Sequence, residues 1–311
     1  MVLVRKMTID DAIALIFTEC LNHWTTNEAV ALRGADPERI HEMRVGLRRM
    51  RSALSDFRAI IRAPQLAWMK RETKWLITSL GPSRDWDVFL TELLEPVEAA
   101  RPRDRGLSEL RTAARTEQRR GYATTRIAIR SPRHSKFVAQ MRHWLSAKRW
   151  RQRGREEQES LDEPIQKLAR RVLRKRHNVA LRLGRDFSGL SAEERHQLRI
   201  ALKKLRYTAD FFRSLYPKKH AKPYFRALAQ MQNCLGHMND VVVAEHLLER
   251  VTSAYRRQRV FADLPIAAGT VIGWHARGAS AAAQEAEQNW RAFRNAACFW
   301  SNCQKLWTGR S

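Results

Sequence analysis

The sequence predicts an all-α protein built from a duplicated helical unit. Three observations carry that expectation. Glycine (13) and proline (10) are scarce for 311 residues, which disfavours a turn-rich β fold. Apolar residues recur at three- and four-residue spacing along most of the chain. One basic motif, H-x-x-R-(V/I)-x-x-(R/K)-(R/K)-(M/L)-R, occurs twice, from His41 to Arg51 and from His196 to Arg206, 155 residues apart (196 minus 41).

A first helix is expected over 8–30, capped by Thr8 with Asp10 and Asp11 in its first turn, its inner side formed by Ile13, Ile16, Phe17 and Cys20. Gly34-Ala35-Asp36-Pro37 breaks the pattern, with Asp36 as cap and Pro37 opening the first motif helix, which runs to about Ile61. Pro64 starts the next segment, ending at Gly81-Pro82-Ser83, and Ser83 is the expected cap of another helix at Arg84. A basic helix follows over 103–130, stopped at Ser131-Pro132, and another runs from His134 to Trp150. The polar stretch 148–160, with Gly154, is the expected link between an N-terminal half (1–150) and a C-terminal half (151–311). The second half opens with a helix from Leu161 to Arg185. Ser191 and Glu194 form a capping box for the second motif helix, which Pro217 ends. Two helices, over 223–235 and 239–259, and helical material from Ile266 to Trp307 complete the chain, with Gly269, Gly273 and Gly278 as breaks.

On a helix each motif divides into two stripes. Met43, Leu47, Met50, Leu54 and Phe57 pack, while His41, Arg44, Arg48, Arg51 and Ser55 form a charged stripe. In the second copy Leu198, Leu202, Leu205, Ala209 and Phe212 pack, and His196, Arg199, Lys203, Arg206 and Asp210 form the other stripe, with Arg206 placed to pair with Asp210. Stacked cations repel one another, and a merely solvated face would be cheaper with ion pairs. The recurrence of both stripes in phase favours an anion outside the chain over ordinary solvation.

A second motif repeats in the same register: Leu80-Gly81-Pro82-Ser83-Arg84-Asp85 against Leu235-Gly236-His237-Met238-Asn239-Asp240. Here the glycines are expected to turn left-handed at a helix end. Asp85 and Asp240 would meet unpaired backbone donors or hold an arginine of the basic helix. Arg174 and His177 share one face of the helix after Leu161, and Lys218, Lys219, His220 and Lys222 crowd the turn after Pro217 as an outer wall to an anion site.

Lys+Arg 58 against Asp+Glu 32 gives a formal charge of +26, which calls for a polyanionic partner: nucleic acid, an anionic membrane or polyphosphate. Neither a signal peptide nor a transmembrane helix is expected. Four sparse cysteines (Cys20, Cys234, Cys298, Cys303) suggest no disulfide framework, in keeping with the cytoplasm. No phosphate-binding loop, dinucleotide fingerprint, zinc-protease motif or serine elbow occurs, and Cys234-x-x-His237 lacks a second ligand pair. No cofactor and no catalytic residue is therefore expected. Phe57, Phe212 and Trp144 fall on apolar stripes and are expected in the core, not as stacking platforms for bases.

Both motif helices resemble the CHAD family, the conserved-histidine α-helical domain. The match rests on His41, Arg44, Arg48, Arg49 and Arg51, and on His196, Arg199, Lys203, Lys204, Arg206 and Tyr207, extended by the Asp85 and Asp240 segments. The resemblance covers about residues 8–300. It implies two helical halves related by a pseudo-twofold axis, with a basic groove or channel between them that binds inorganic polyphosphate, and association with polyphosphate granules. The expected ligand contacts are these histidines, arginines and lysines together with Arg174, His177, Lys218 and Lys219, while Asp85, Asp240 and Tyr207 support them. Some family members are fused to a triphosphatase domain of the CYTH type; this chain has no room for one, so that role is not expected. Gly46 inside the first motif is a departure costing roughly 1 kcal/mol relative to alanine unless it permits a close helix contact. Arg84 becomes Asn239 in the second junction, so the halves need not bind alike. The competing readings are a nucleic-acid-binding basic protein, a polyphosphate-processing enzyme, and a scaffold whose charge serves solubility alone.

Overall fold

The computed structural model describes residues 2–33, 37–152, 158–277 and 279–301. The chain opens with α1 (Ile9–Arg33), α2 (Pro37–Asp56), α3 (Ala63–Ser79) and α4 (Gly81–Val88), which passes through a π-helical stretch (Phe89–Leu94) into the short α5 (Glu95–Ala100). Two helices, α6 (Arg105–Arg130) and α7 (Pro132–Ser146), complete the first part. The second contains α8 (Ile165–Leu183), α9 (Ala192–Phe212), α10 (Lys218–Tyr255), α11 (Leu264–Ala276) and α12 (Ala279–Asn295). No β-strand occurs among the described residues; an isolated antiparallel bridge joins Thr8 to Pro164.

Local chemistry sets the helix starts. The Thr8 hydroxyl accepts from the Asp11 amide (3.1 Å), and the Asp11 carboxylate accepts from the Thr8 amide (3.2 Å). The capping box at Ser191 and Glu194 is formed in full, and Asp104 and Ser131 cap α6 and α7. The predicted Asp36 cap lies outside the described residues, as do Gly154, Gly278, Cys303 and Trp307.

Two apolar cores hold the helices. Both apolar stripes of the motif helices enter the first, with all ten of their residues fully buried. Phe57 of the turn after α2 meets Phe212 of α9, ring centroids 6.5 Å apart, and Phe17 of α1 meets Phe57 at 5.9 Å. Each buried phenylalanine contributes about 1.5–3 kcal/mol of burial free energy. The second core joins Trp86, Phe89, Leu94, Leu107 and Leu110 to Leu247, Leu248, Val251 and Leu264. Both cores therefore draw on residues before and after position 150. Gly46 supplies the close helix contact: a Cβ there would stand 2.9 Å from the Trp24 backbone nitrogen of α1.

Several boundaries differ from the sequence expectation. The first motif helix stops at Asp56, not near Ile61, because Asp56 turns inward to accept from Arg176 (2.6 and 2.9 Å) and from the Thr208 hydroxyl (2.6 Å). Neither junction glycine adopts a left-handed turn; among the described residues the positive φ belongs to Lys148, at 41°. Residues 218–255 form one unbroken helix where two were expected, and Gly236 lies inside it. A lone glycine weakens a helix by only about 1 kcal/mol, less than burying Leu235, Leu247 and Leu248 on either side returns. Ser83 is not a cap: its buried hydroxyl lies 3.1 Å from that of Thr125 and 3.3 Å from the Leu80 carbonyl. The start of the expected linker is anchored, with Lys148, Trp150 and Arg151 all donating to Asp10 at 2.7–2.8 Å.

Candidate polyanion-binding cavities

The charged stripes of α2 and α9 line two cavities. The inner one, about 260 Å³, is built from His41, Arg44 and Arg48 of α2, Arg84 and Asp85 of α4, Arg199 and Lys203 of α9, and Asn239 and Asp240 of α10. Val88, Phe89, Leu93, Val243, Ala244 and Leu247, several of them from the second core, form its apolar side. The outer one, about 410 Å³, is lined by Arg48, Arg51, Ser52 and Ser55 of α2, Lys70 and Lys74 of α3, and Ile200, Lys203, Lys204 and Tyr207 of α9. Arg48 and Lys203, one from each motif helix, belong to both.

A hydrogen bond and an ion pair hold two of the inner cations in place. Arg44 is almost fully buried and donates from Nη1 to the Ile77 carbonyl at 3.0 Å. Arg199 Nη2 lies 3.5 Å from Asp240 Oδ1, which also accepts from Asn239 Nδ2 at 3.3 Å. His196 stands one layer behind, with Nδ1 2.7 Å from Asn239 Oδ1, so it orients the α10 side chains rather than lining the cavity. The Nε atoms of Arg44 and Arg199 are buried without a hydrogen-bond partner.

The electrostatics show what crowding these groups costs. Burial, reinforced by Arg48, pulls Arg44 down to about 10. Burial and the neighbouring Arg48 and Arg199 pull Lys203 down to about 7, against the weaker opposing pull of Asp240. Burial and Arg84 hold His41 below the usual histidine range. Burial raises Asp85, which Arg44 and Arg48 oppose and Asp240 reinforces. In the inner cavity five arginines and lysines face two carboxylates, whereas six face none in the outer. Desolvated like charges disfavour their own charged forms unless an anion joins them.

The structure thus brings His41, Arg44, Arg48, Arg51, Arg199, Lys203 and Lys204 to the cavities, with Asp85, Asp240 and Tyr207 among the lining side chains. Other predicted residues lie elsewhere. The Arg49 guanidinium stands 5.2 Å from the Phe211 ring centroid, beside the buried Cys20. His177 is buried, 3.0 Å from the Tyr224 hydroxyl and edge-on to Phe293 and Trp300, and burial lowers its proton affinity. Arg206 pairs with Asp210 at 3.3 Å, as its spacing predicts, and lies over Phe225. Arg174 is exposed on α8, and Lys218 and Lys219 are exposed in the first turn of α10. The cavity residues that sequence reasoning missed are Lys70 and Lys74, and Arg84 and Asn239 as contacts. The only signal for the lysines is their four-residue spacing; Arg84 and Asn239 occupy matching positions of the repeated junction.

Among the described residues no group of three or more His, Cys, Asp or Glu side chains could hold a metal ion, and no helix is long and apolar enough to cross a membrane.

An all-α frame with two histidine-led basic helices whose cations line shared cavities defines the class. Residues 15–249 match the CHAD domain, and the chain belongs to that family; CHAD domains are non-catalytic binding modules linked in general to polyphosphate. The crystal structure of the CHAD domain from the plant Ricinus communis is similar throughout, with a TM-score of 0.80 and 29% identity, covering 95% of this chain and 94% of that one. PptA from Streptomyces chartreusis shares the fold, with a TM-score of 0.65 at 15% identity over 93% of this chain and 99% of that one. Uncharacterised proteins from two strains of Mycobacterium tuberculosis are 29% identical over 229 residues, 72% of this chain. That stretch is 42% of their length, so the chain spans less than half of these relatives.

Proposed function

We propose that the protein binds inorganic polyphosphate, without catalysis, in the two cavities between α2 and α9. The observation that carries this reading is the sharing of Arg48 and Lys203. A line of phosphates entering either cavity meets the same two cations, one from each motif helix. Arginine forks bind phosphate oxygens bidentately and lysine binds as a point charge, so several cations in line address a chain of phosphates better than a single one. Counterion release adds affinity.

In this reading the two parts of the chain, 1–150 and 151–311, are copies of one helical unit related by a pseudo-twofold axis, and the cavities are a basic groove between them. Residues 155 apart support it by meeting: Phe57 with Phe212 in the core, Arg48 with Lys203 in both cavities, and Asp85 with Asp240 in the inner one. A cytoplasmic site of action, associated with polyphosphate granules, belongs to the same proposal.

The test is binding of polyphosphate at about 0.15 M salt, with duplex DNA and heparin as competitors, to the wild type and to Arg48→Ala/Lys203→Ala. Charge-assisted hydrogen bonds contribute about 1.5–3 kcal/mol each, so the expected loss is roughly a hundredfold or more, with the competitors displacing polyphosphate poorly. Equal binding of all three polyanions, unchanged in the variant, would leave only a generic basic surface.

A further inference from the structure

We infer that Lys70 and Lys74 of α3 form an outer subsite that makes the protein selective for long polyanionic phosphate chains over short ones. The inference rests on the binding reading above and concerns residues outside both motif helices.

Lys70 and Lys74 are exposed, one helical turn apart on α3, and both line the outer cavity. The helix carries a single carboxylate, Glu72. It is committed to the opposite side, where Oε2 accepts from Arg133 at 2.7 Å and Oε1 from Arg71 at 3.1 Å. Those contacts hold Glu72 below the usual glutamate range. The two lysines therefore face the cavity without a neutralising partner on their own helix. Opposite them, α2 and α9 present Arg51 and Lys204, again with no carboxylate lining the cavity.

Distance then separates short ligands from long ones. Arg44 and Arg51 are seven residues apart on α2, which is roughly 10 Å of helix rise. A short chain held by the buried Arg44 and Arg199 occupies the inner cavity and does not reach α3. A long chain passes Arg48 and Lys203, enters the wider outer cavity and gains the two α3 lysines. In the inner cavity Arg44 and Arg199 are tied to Ile77 and Asp240, whereas Lys70 and Lys74 are exposed and can follow a mobile chain. Chain-length preference is thus set outside the motif helices, where contacts are weaker individually but exclusive to long ligands.

The experiment is calorimetric titration of tripolyphosphate and of long-chain polyphosphate into the wild type and Lys70→Ala/Lys74→Ala, repeated across salt concentrations. Both lysines are exposed, so the variant is expected to fold, and its thermal melt verifies this. For long chains, affinity should fall roughly five- to tenfold. The log–log salt slope should flatten by about 1.4, the value for two contacts on a single-stranded polyanion. Tripolyphosphate binding should not change in either respect. An equal loss for both lengths, or no loss for long chains in a wild type that binds them, would overturn this inference alone. Wild-type binding of neither ligand would overturn the cavity reading together with it.

Discussion

The two cavities share Arg48 and Lys203 yet differ in how their charge is managed. The inner one largely buries Arg44 and Arg199 and tethers them to the Ile77 carbonyl and to Asp240, with Asp85 and Asp240 offsetting part of the charge. The outer one leaves lysines near solvent and contains no carboxylate. The difference follows from dielectric. Buried cations that lack a partner are expensive, so the enclosed site needs internal counter-charge to fold before ligand arrives. At the solvent side water does that work, and the same positive charge can remain uncompensated.

The largest effect that would break this comparison comes from removing the inner counter-charge. Asp240→Asn should destabilise the ligand-free protein by about 1–3 kcal/mol, because Arg199 loses the carboxylate it pairs with. The same variant should bind polyphosphate more tightly, and saturating ligand should restore its melting temperature toward the wild-type complex. Thermal melts with and without ligand check this. A variant as stable as wild type, with weaker binding, would mean that Asp240 acts on the ligand and not on Arg199.

A smaller effect sharpens the link between the cavities. Lys203 is held near 7 by burial and by Arg48, Arg44 and Arg199, with Asp240 as the opposing carboxylate. An unfolded lysine titrates near 10.5. Between those values the folded, unliganded protein holds fewer protons than the unfolded chain, so its stability rises with pH across that window. A bound polyanion restores the charged form. Binding therefore takes up a proton above about pH 7, and affinity falls by up to tenfold per pH unit as pH rises from there. Isothermal titration in buffers of different ionisation enthalpy measures the uptake directly. Lys203→Arg, which stays charged, should abolish the pH dependence while retaining most of the binding.

Much of this is legible in the residues alone. The stripe assignments of both motif helices rest on a 3.6-residue period, and that period is insensitive to small errors in helix ends; all ten packing positions are buried. The repeat spacing pointed to Arg44, Arg48, Arg199 and Lys203 because two copies in phase are hard to explain by solvation alone. Boundaries were less legible. The end of α2 depends on Asp56 meeting Arg176 and Thr208, more than a hundred residues away, which no local signal contains. Gly236 has the composition of a break, but neighbouring burial carries α10 through it. His177 shares a helical face with Arg174 on paper, yet a stripe is not flat: the histidine turns into an aromatic nest while the arginine stays in solvent. Lys70 and Lys74 reach the site through the packing of α3 beside α2, which is a tertiary fact.

In the proposed function the two cavities are one binding site joined at Arg48 and Lys203. A crystal structure of the complex with long-chain polyphosphate tests it most directly. The predicted result is continuous phosphate density running from Arg44 and Arg199, past Arg48 and Lys203, to Lys70 and Lys74. Density confined to the exposed arginines of α6 or α8, with both cavities holding only water, would contradict it.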